Sequence, residues 1–337
     1  MSEFQKHLDE EVDIVVAIKE GAIAHLELTA PDNHIETGLA HVFFFGERVF
    51  KQYKIVSDPE HFIKGALAPT EKRFDFLERD FTLNQHFSGG IYKEMYTHER
   101  IDGSVKFVEY KRTSPHVWFE MERLDFSQNF HEQLLRKEVT DVQLFALGYY
   151  TAKLVAESPV AVPEGVNWYQ LATERIKFLE QFISWLPVEY KVAMDDTDCV
   201  AALKQHLESH KKEYESIMEK DLVVSLDNHD ENIFFKAGKP IFIDVVPPMQ
   251  SWWYGVPWLN LANIVVNVET LLSEDSARIV EAGFMDYHGI KELPEKEYAF
   301  TRALALSISV AHFGSLPGKT EVAELYIEKC KTIKKWL

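Results

Sequence analysis

Residues 225–244, with the sequence SLDNHDENIFFKAGKPIFID, constrain the fold of this 337-residue chain more than any other stretch. Asp227 lies five residues before Asn232, and twelve further residues lead to Asp244. The apolar segments IFF and PIFI read as two short strands, and Gly238 between them suits the backbone of a tight turn. A hairpin of this kind predicts that the three polar residues converge on one site.

These three residues are the types that phosphoryl transfer requires. A carboxylate at Asp227 can orient an attacking hydroxyl and accept its proton, whereas the Asn232 amide oxygen and the Asp244 carboxylate are hard ligands for a Mg²⁺ ion that bridges nucleotide phosphates. The spacing is that of a kinase catalytic loop followed by a strand-borne aspartate. A polar loop before an ordinary hairpin is the alternative interpretation, because a single Asp-x-x-x-x-Asn is common by chance.

The charge balance argues against two classes of partner. With 36 basic and 54 acidic residues the formal charge is −18, which repels nucleic acid and anionic membranes unless a basic patch offsets it, and the sequence contains no such patch. Two cysteines, Cys199 and Cys330, are too few for a disulfide framework or a cysteine zinc site. The charged N-terminal stretch and the lack of a long apolar run predict a cytoplasmic protein that binds neither nucleic acid nor membrane.

Hydrophobic periodicity changes character along the chain. Strands are predicted over 22–29, 41–54, 91–101, 105–112 and 116–122, and helices over 10–20, 70–86, 140–152, 168–186, 200–218, 259–272, 276–287, 296–313 and 319–336. The pattern predicts a two-lobed α+β fold. Residues 1–122 form a β-rich N-lobe with one key helix, and residues 123–337 form a larger, mainly helical C-lobe that carries the hairpin.

A phosphoryl-transfer site also needs a lysine for the phosphates and a carboxylate that orients it. Lys51 lies on the strand VFKQY, and Glu78 lies on the next helix beside the core-facing Leu77, so an ion pair between them is expected. Lys54 is the rival lysine, and because strand residues three apart point to opposite faces, only one of the two can serve.

The segment ETGLAH, residues 36–41, lies between two strands, where a phosphate-covering loop would sit. Thr37 and Gly38 are its candidate residues, with backbone amides forming an anion cradle. It contains one glycine, and a plain hairpin connection is an equally good interpretation.

Taken together, these residues resemble the protein-kinase-like superfamily, specifically its aminoglycoside phosphotransferase and choline kinase group. The family stretch H-G-D-x-H-x-x-N-I is matched by SLDNHDENI at 225–233, and the strand end I-D by Ile243 and Asp244. A poorly characterised bacterial branch is similar from about residue 33, and the resemblance extends to about residue 275. It implies Lys51 as the phosphate lysine. It also implies that the backbone at Glu122 to Leu124 meets the adenine of ATP, with GTP not excluded.

The chain departs from the family pattern at two places. Ser225 and Leu226 replace the His-Gly that precedes the catalytic aspartate, and a supporting aspartate is missing from WYGVPWLNLA, residues 253–262. The expected function is ATP- and Mg²⁺-dependent phosphorylation of a small-molecule hydroxyl. The alternative is a pseudokinase or nucleotide-binding regulatory protein, and transfer to a protein or of a nucleotidyl group is a third possibility. The acceptor and the oligomeric state are not specified.

His229 admits two interpretations. It could contact substrate or phosphate, or it could be a hydrogen-bonded structural residue before a buried strand. With Asp230 and Glu231 it could also suggest a metallohydrolase, but the sequence has no second histidine-rich element with ligand spacing.

Overall fold

The computed structural model describes residues 2–24, 28–58, 60, 64–247, 249–316 and 318–337. The chain divides into two compact units. The first comprises Met1–Asp125 together with Asp244–Gln250, and the second comprises Phe126–Ile243 and Ser251–Leu337. The sequence predicts a lobe boundary at residue 122 with residues 244–250 in the C-terminal lobe. In the structure Asp244–Gln250 groups with the first unit.

The first unit is built on a six-stranded antiparallel sheet. Its elements are α1 (Glu3–Lys19), β1 (Asn33–Glu36), β2 (Ala40–Phe45), β3 (Arg48–Tyr53), α2 (Glu71–Phe87), β4 (Tyr92–Ile101), β5 (Ser104–Glu109) and β6 (Trp118–Glu122). The strand order is β1-β2-β3-β6-β4-β5. The strand predicted over 22–29 includes residues 25–27, which lie outside the described residues, and Ile23 forms only an isolated bridge to Val105.

Helix α1 is amphipathic and covers one face of this sheet. Ile14 and Ile18 are fully buried at helical spacing, and they belong to the same core cluster as Phe50, Phe107 and Trp118 of the sheet. The sheet face under α1 is therefore a dry aromatic and aliphatic core.

The face of helix α2 that is buried in the first unit carries both polar and apolar side chains. The buried residues are Arg73, Phe76, Leu77, Asp80, Leu83, Asn84 and Phe87. The Arg73 guanidinium donates to the backbone oxygens of Pro115 at 2.6 Å, Leu67 at 2.7 Å and Tyr53 at 2.7 Å, and burial lowers its pKa to about 10. This contact fixes α2 against the end of β3, which places the inner face of α2 beside Tyr53.

The second unit is mainly helical. Its helices are α3 (Phe130–Arg136), α4 (Asp141–Ala156), α5 (Trp168–Trp185), α6 (Val188–Thr197), α7 (Cys199–Ser209), α8 (Lys211–Ser216), α9 (Pro257–Leu271), α10 (Glu274–His288), α11 (Glu295–Ser315) and α12 (Thr320–Cys330). A β-rich N-terminal half followed by this helical half confirms the predicted α+β class. None of the helices in the described ranges combines the length and the apolarity that crossing a lipid bilayer requires.

Two short strand pairs interrupt the helices. β7 (Val223–Val224) pairs with β10 (Tyr254–Gly255), and β8 (Ile233–Lys236) pairs with β9 (Lys239–Phe242). The β8–β9 pair is the hairpin predicted from the sequence. Its two turn residues, Ala237 and Gly238, both have positive φ angles of 51° and 77°, as a type I′ turn requires.

Helices α4 and α10 approach each other through glycines. A Cβ atom on Gly148 would lie 1.9 Å from the Val280 oxygen, and one on Gly283 would lie 2.1 Å from the Phe145 oxygen. Both distances are far below any van der Waals contact, so the backbones touch only because neither glycine carries a side chain.

Candidate active site

The loop that follows β7 carries the predicted base in the second unit. Asp227 precedes a short 3₁₀ turn over Asp230–Asn232, which leads directly into β8. The Asn232 side-chain nitrogen donates to the Asp227 backbone oxygen at 2.9 Å, and the Ile243 N–H donates to the Asn232 backbone oxygen at 2.9 Å. The Asn232 side-chain nitrogen thus closes the loop. The side-chain oxygen of Asn232 takes no part in this hydrogen bond.

Asp227 itself is half-buried. Within the described part of the chain no residue forms a hydrogen bond or ion pair with its carboxylate, whereas its backbone oxygen is held by Asn232. A carboxylate on a braced backbone with an unengaged side chain suits a general base, which must reach the proton of a bound substrate.

Two asparagines on α9 hold this loop by hydrogen bonds, and neither was predicted as a functional residue from the sequence. The Asn260 side chain accepts from the Leu226 N–H at 2.8 Å and donates to the Val224 oxygen at 2.8 Å. The Asn263 nitrogen donates to the Asn228 side-chain oxygen at 3.0 Å. The missing supporting aspartate therefore does not leave the loop unsupported, because an amide supplies the same acceptor for a backbone N–H.

His229 belongs to a polar group beside the loop. Its ring lies 4.7 Å from that of His312, the His312 Nε2 is 3.3 Å from Glu231 Oε2, and the Lys319 ammonium is 3.1 Å from Glu231 Oε1. Burial lowers the pKa of His229. The lysine already neutralises Glu231 and would repel a divalent cation, so the group reads as a structural network. His312 is too distant along the chain for the sequence to connect it with His229.

In the first unit, Lys51 and Asp244 form an ion pair on the inner side of β3. The Lys51 side chain is only 7% exposed, and its ammonium also donates to the Tyr53 hydroxyl at 3.0 Å. The Tyr92 hydroxyl donates to the same Asp244 oxygen at 2.7 Å. Asp244 is thereby fixed by a cation and a phenol, with a backbone in the left-handed region at φ 52°.

Lys54 directly follows the last residue of β3 and makes contacts that differ from those of Lys51. Its ammonium donates to Glu36 at 2.8 Å and to the Thr37 backbone oxygen at 2.7 Å. Of the two rival lysines, Lys51 is the one that contacts Asp244.

The expected ion pair between Lys51 and Glu78 does not form. Glu78 accepts from the Arg112 guanidinium and from the Tyr110 hydroxyl at 2.8 Å, and the hydrogen bond from Arg112 lowers its pKa. The prediction placed Glu78 beside Leu77, but consecutive helical residues are about 100° apart around the axis. Glu78 therefore lies on the flank of α2 and not on its inner face.

Asp80 is the carboxylate that α2 presents to the lysine. It is fully buried, it accepts from the Tyr53 hydroxyl at 3.0 Å and from the Asn84 amide at 2.8 Å, and burial raises its pKa to about 7. Tyr53 links it to the Lys51 ammonium. The helical period could have identified Asp80 from the sequence, because Asp80 follows the buried Leu77 by three residues and therefore lies on the same face of α2.

The backbone N–H groups in the turn between β1 and β2 form hydrogen bonds within the turn itself. The Thr37 N–H donates to the Ala40 oxygen at 2.9 Å, and the N–H groups of Leu39 and Ala40 donate to the Thr37 hydroxyl at 3.2 and 2.9 Å. These three amides are therefore not available as the predicted anion cradle. Gly38 remains open, since a Cβ there would meet no atom within 4 Å.

Glu122 and Leu124, the predicted adenine-binding positions, end the first unit's sheet. The Glu122 N–H donates to the Ile91 oxygen at 2.9 Å, and the Arg123 N–H donates to the Glu47 oxygen at 2.8 Å. The Leu124 N–H finds no acceptor among the described residues. The Leu124 backbone amide, two residues after the end of β6, is therefore a donor that a ligand could use.

Comparison with known proteins shows a shared fold at low sequence identity. No protein-family model matches the sequence, and no similar sequence is found among curated proteins. A choline/ethanolamine kinase family protein from Mesorhizobium loti is similar in structure, with a TM-score of 0.55 over 97% of this chain and 94% of that one at 12% identity.

A thermostable mutant of the aminoglycoside phosphotransferase APH(4)-Ia, solved with AMP-PNP and hygromycin B, has a TM-score of 0.51 over 92% and 96% of the two chains at 13% identity. At such identities the similarity establishes architecture. The chain therefore shares the fold of these choline/ethanolamine kinase family and aminoglycoside phosphotransferase structures.

Proposed function

We propose that this protein transfers the γ-phosphoryl group of ATP, held with Mg²⁺, to a hydroxyl of a small molecule. The observation that carries the proposal is the ion pair between the buried ammonium of Lys51 and the Asp244 carboxylate. A lysine that is 7% exposed needs a reason to be there, because burying an ammonium group is costly. Coordination of phosphate and metal supplies that reason.

The proposed roles follow from the side chains. Asp227 orients the acceptor hydroxyl and takes its proton, and Lys51 holds the phosphate oxygens. Asp80 replaces Glu78 as the orienting carboxylate, acting on Lys51 through the Tyr53 hydroxyl.

The oxygen donors of Asn232 and Asp244 fit Mg²⁺. Both are hard ligands, and a magnesium ion of this kind is held by one or two protein oxygens together with substrate phosphates. Asp244 keeps 38% of its side chain exposed although Lys51 and Tyr92 contact it, so a ligand can reach it. When bound, the ion supplies neutralisation of the phosphate charge.

The nucleotide base would be recognised by backbone groups. The Leu124 N–H donates to a ring nitrogen of adenine, and the Glu122 carbonyl accepts from its amino group. The turn at Thr37 and Gly38 is proposed to cover the phosphates, with Gly38 allowing close approach of the backbone. The neighbouring structure with AMP-PNP supports a nucleoside triphosphate as donor.

A small-molecule acceptor is supported by the same neighbours. One is described as a choline/ethanolamine kinase family protein, and the other is a phosphotransferase solved with hygromycin B. The formal charge of −18 also favours an acceptor that is cationic over one that is anionic.

The test replaces Asp227 by Ala and measures ATP consumption in the presence of a metabolite pool. Turnover should be lost, while the rise in Tm on adding Mg-ATP should persist, because the base is not needed for nucleotide binding. Asp221→Asn, an exposed carboxylate shortly before β7, is the matched control and should turn over normally. Unchanged turnover in Asp227→Ala would refute the assignment.

The pseudokinase alternative predicts a different pattern. Mg-ATP would raise Tm equally in the wild type and in Asp227→Ala, and neither protein would consume ATP. The bracing of the loop by Asn260 removes one of the two reasons that motivated this alternative.

A further inference from the structure

Three histidines and a glutamate meet at the junction of α1 and the sheet, remote in sequence from the proposed catalytic residues. We call this group the histidine cluster; it consists of His7 and Glu10 on α1, His98 on β4 and His116 just before β6. One Glu10 oxygen, Oε2, lies 3.3 Å from His116 Nε2 and 3.9 Å from His7 Nδ1. The other, Oε1, lies 3.3 Å from His98 Nε2.

The donor atoms have the spacing of a metal site. One donor from each of His7, Glu10 and His116 lies within 4.8 Å of the others. Zinc bonds to nitrogen and oxygen are about 2.0–2.1 Å, so the edge of a ligand tetrahedron is about 3.3 Å. The distance between Glu10 and His116 equals that edge, and that between Glu10 and His7 exceeds it by a margin that a side-chain rotation closes.

The ring nitrogens that face the cluster form no well-aligned hydrogen bond. His7 Nδ1 and His116 Nε2 are buried atoms that approach the Glu10 carboxylate at 3.9 and 3.3 Å, but neither meets hydrogen-bond geometry within the described residues, and His116 is 0% exposed. A buried ring nitrogen without an aligned partner is uncommon because it loses its hydration without full compensation. A cation between the two rings would satisfy both.

Gln52 supports the same interpretation from the far side of the His116 ring. Its amide nitrogen lies 3.2 Å from His116 Nδ1, and its amide oxygen is buried without a partner. The two ends of an amide have nearly the same shape, so the exchanged orientation would let His116 Nδ1 donate to the Gln52 oxygen. The lone pair would then lie on Nε2, facing the cluster, as it does in histidines that bind metals.

We propose that His7, Glu10 and His116 bind a divalent transition metal of the zinc type, with a water molecule as the fourth ligand. His98 contacts the second oxygen of Glu10 and holds the carboxylate in place. Nitrogen and carboxylate donors in tetrahedral arrangement select Zn²⁺ over Mg²⁺, which prefers six oxygen ligands. The metal would fasten α1 to the segment just before β6 through ligands roughly 110 positions apart along the chain. The inference does not depend on the proposed phosphotransferase activity.

Burial is consistent with a site loaded from solvent. Glu10 is 44% exposed and His7 is 22% exposed, whereas His98 is 2% exposed. One side of the cluster is therefore open to an entering ion and a water ligand, and the other side is fixed by buried rings.

The test is titration of chelator-treated full-length protein with Zn²⁺ alone, followed by calorimetry and thermal unfolding. One zinc per chain should bind to this site and raise Tm. His7→Ala and Glu10→Gln should each weaken that binding tenfold or more. Both changes lie at the exposed side of the cluster, so the variants should fold, which circular dichroism verifies.

Two controls separate this site from other zinc binding. His312→Ala removes a histidine from the group near the catalytic loop, and His288→Ala removes an exposed one; both should bind zinc at the histidine cluster with wild-type affinity. Co²⁺ should give the intense visible absorption of a tetrahedral site in the wild type and lose it in His7→Ala. No zinc-dependent rise in Tm, or equal zinc affinity in wild type and His7→Ala, would overturn the proposal.

Discussion

The buried carboxyl of Asp80 should make the stability of the protein depend on pH. Burial raises its pKa from 3.8 to about 7, against the opposing effect of the Lys51 charge and the hydrogen bonds from Tyr53 and Asn84. The folded state therefore binds a proton more tightly than the unfolded chain. The contribution of protonated Asp80 to the free energy of unfolding is fully present below about pH 4 and is lost as the pH rises through about 7.

The magnitude follows from the shift. Three pKa units correspond to about 4 kcal/mol in total, and the part that falls between pH 5.5 and pH 8.5 is about 2 kcal/mol. Asp80→Asn cannot ionise, so its stability relative to the wild type should improve by that amount across the interval. In Asp80→Asn the new NH₂ group faces a hydrogen-bond donor, either the Tyr53 hydroxyl or the Asn84 amide. This lowers the free energy of unfolding by an amount that does not vary with pH.

The assay is thermal unfolding at several pH values in buffer containing EDTA, which keeps metal away from Asp244. The difference in Tm between Asp80→Asn and the wild type should change by about 3 °C from pH 5.5 to pH 8.5, in favour of the variant at high pH. Asp75→Asn removes an exposed carboxylate of the same helix and should show a constant difference. A flat difference for Asp80→Asn as well would show that the burial argument is wrong.

Two further predictions concern the second unit. Gly148→Ala should destabilise the protein by about 2 kcal/mol or more, because the new Cβ would lie 1.9 Å from the Val280 oxygen and the cost of overpacking exceeds the gain of about 1 kcal/mol in helix propensity. Denaturant unfolding measures this, with Gly38→Ala as the control at an open position; equal loss in both would contradict the steric argument. Asn260→Ala should lower turnover at least tenfold by leaving the Leu226 N–H without its acceptor, and steady-state assays at saturating ATP test it; wild-type turnover would exclude Asn260 as the brace.

Local patterns were sufficient for the parts of the fold that short-range physics determines. The β8–β9 hairpin follows from two apolar runs around a glycine turn. The strand that carries Lys51 also follows from its local pattern, whereas the choice of Lys51 over Lys54 came from the family resemblance. Helix α2 follows from its apolar period. In each case neighbouring residues decide the outcome, so the sequence contains the answer.

Contacts between elements that are distant along the chain could not be predicted from local sequence patterns. Choosing Asp80 over Glu78 required knowing which side of α2 meets β3, and that is fixed by the Arg73 contacts with backbone carbonyls. The Asn260 brace depends on where α9 packs, and the histidine cluster joins α1 to residues 98 and 116. No periodicity connects such positions, because their proximity is a product of the complete fold.

The grouping of Asp244–Gln250 with the first unit limits how the protein can be dissected. A fragment ending at residue 125 would keep Lys51 and Tyr92 but lose the carboxylate that both of them contact. The complementary fragment would carry that carboxylate away from its buried cation. A single cut therefore yields no self-sufficient half, and domain exchange between relatives must transplant the short segment after β9 together with the N-terminal sheet.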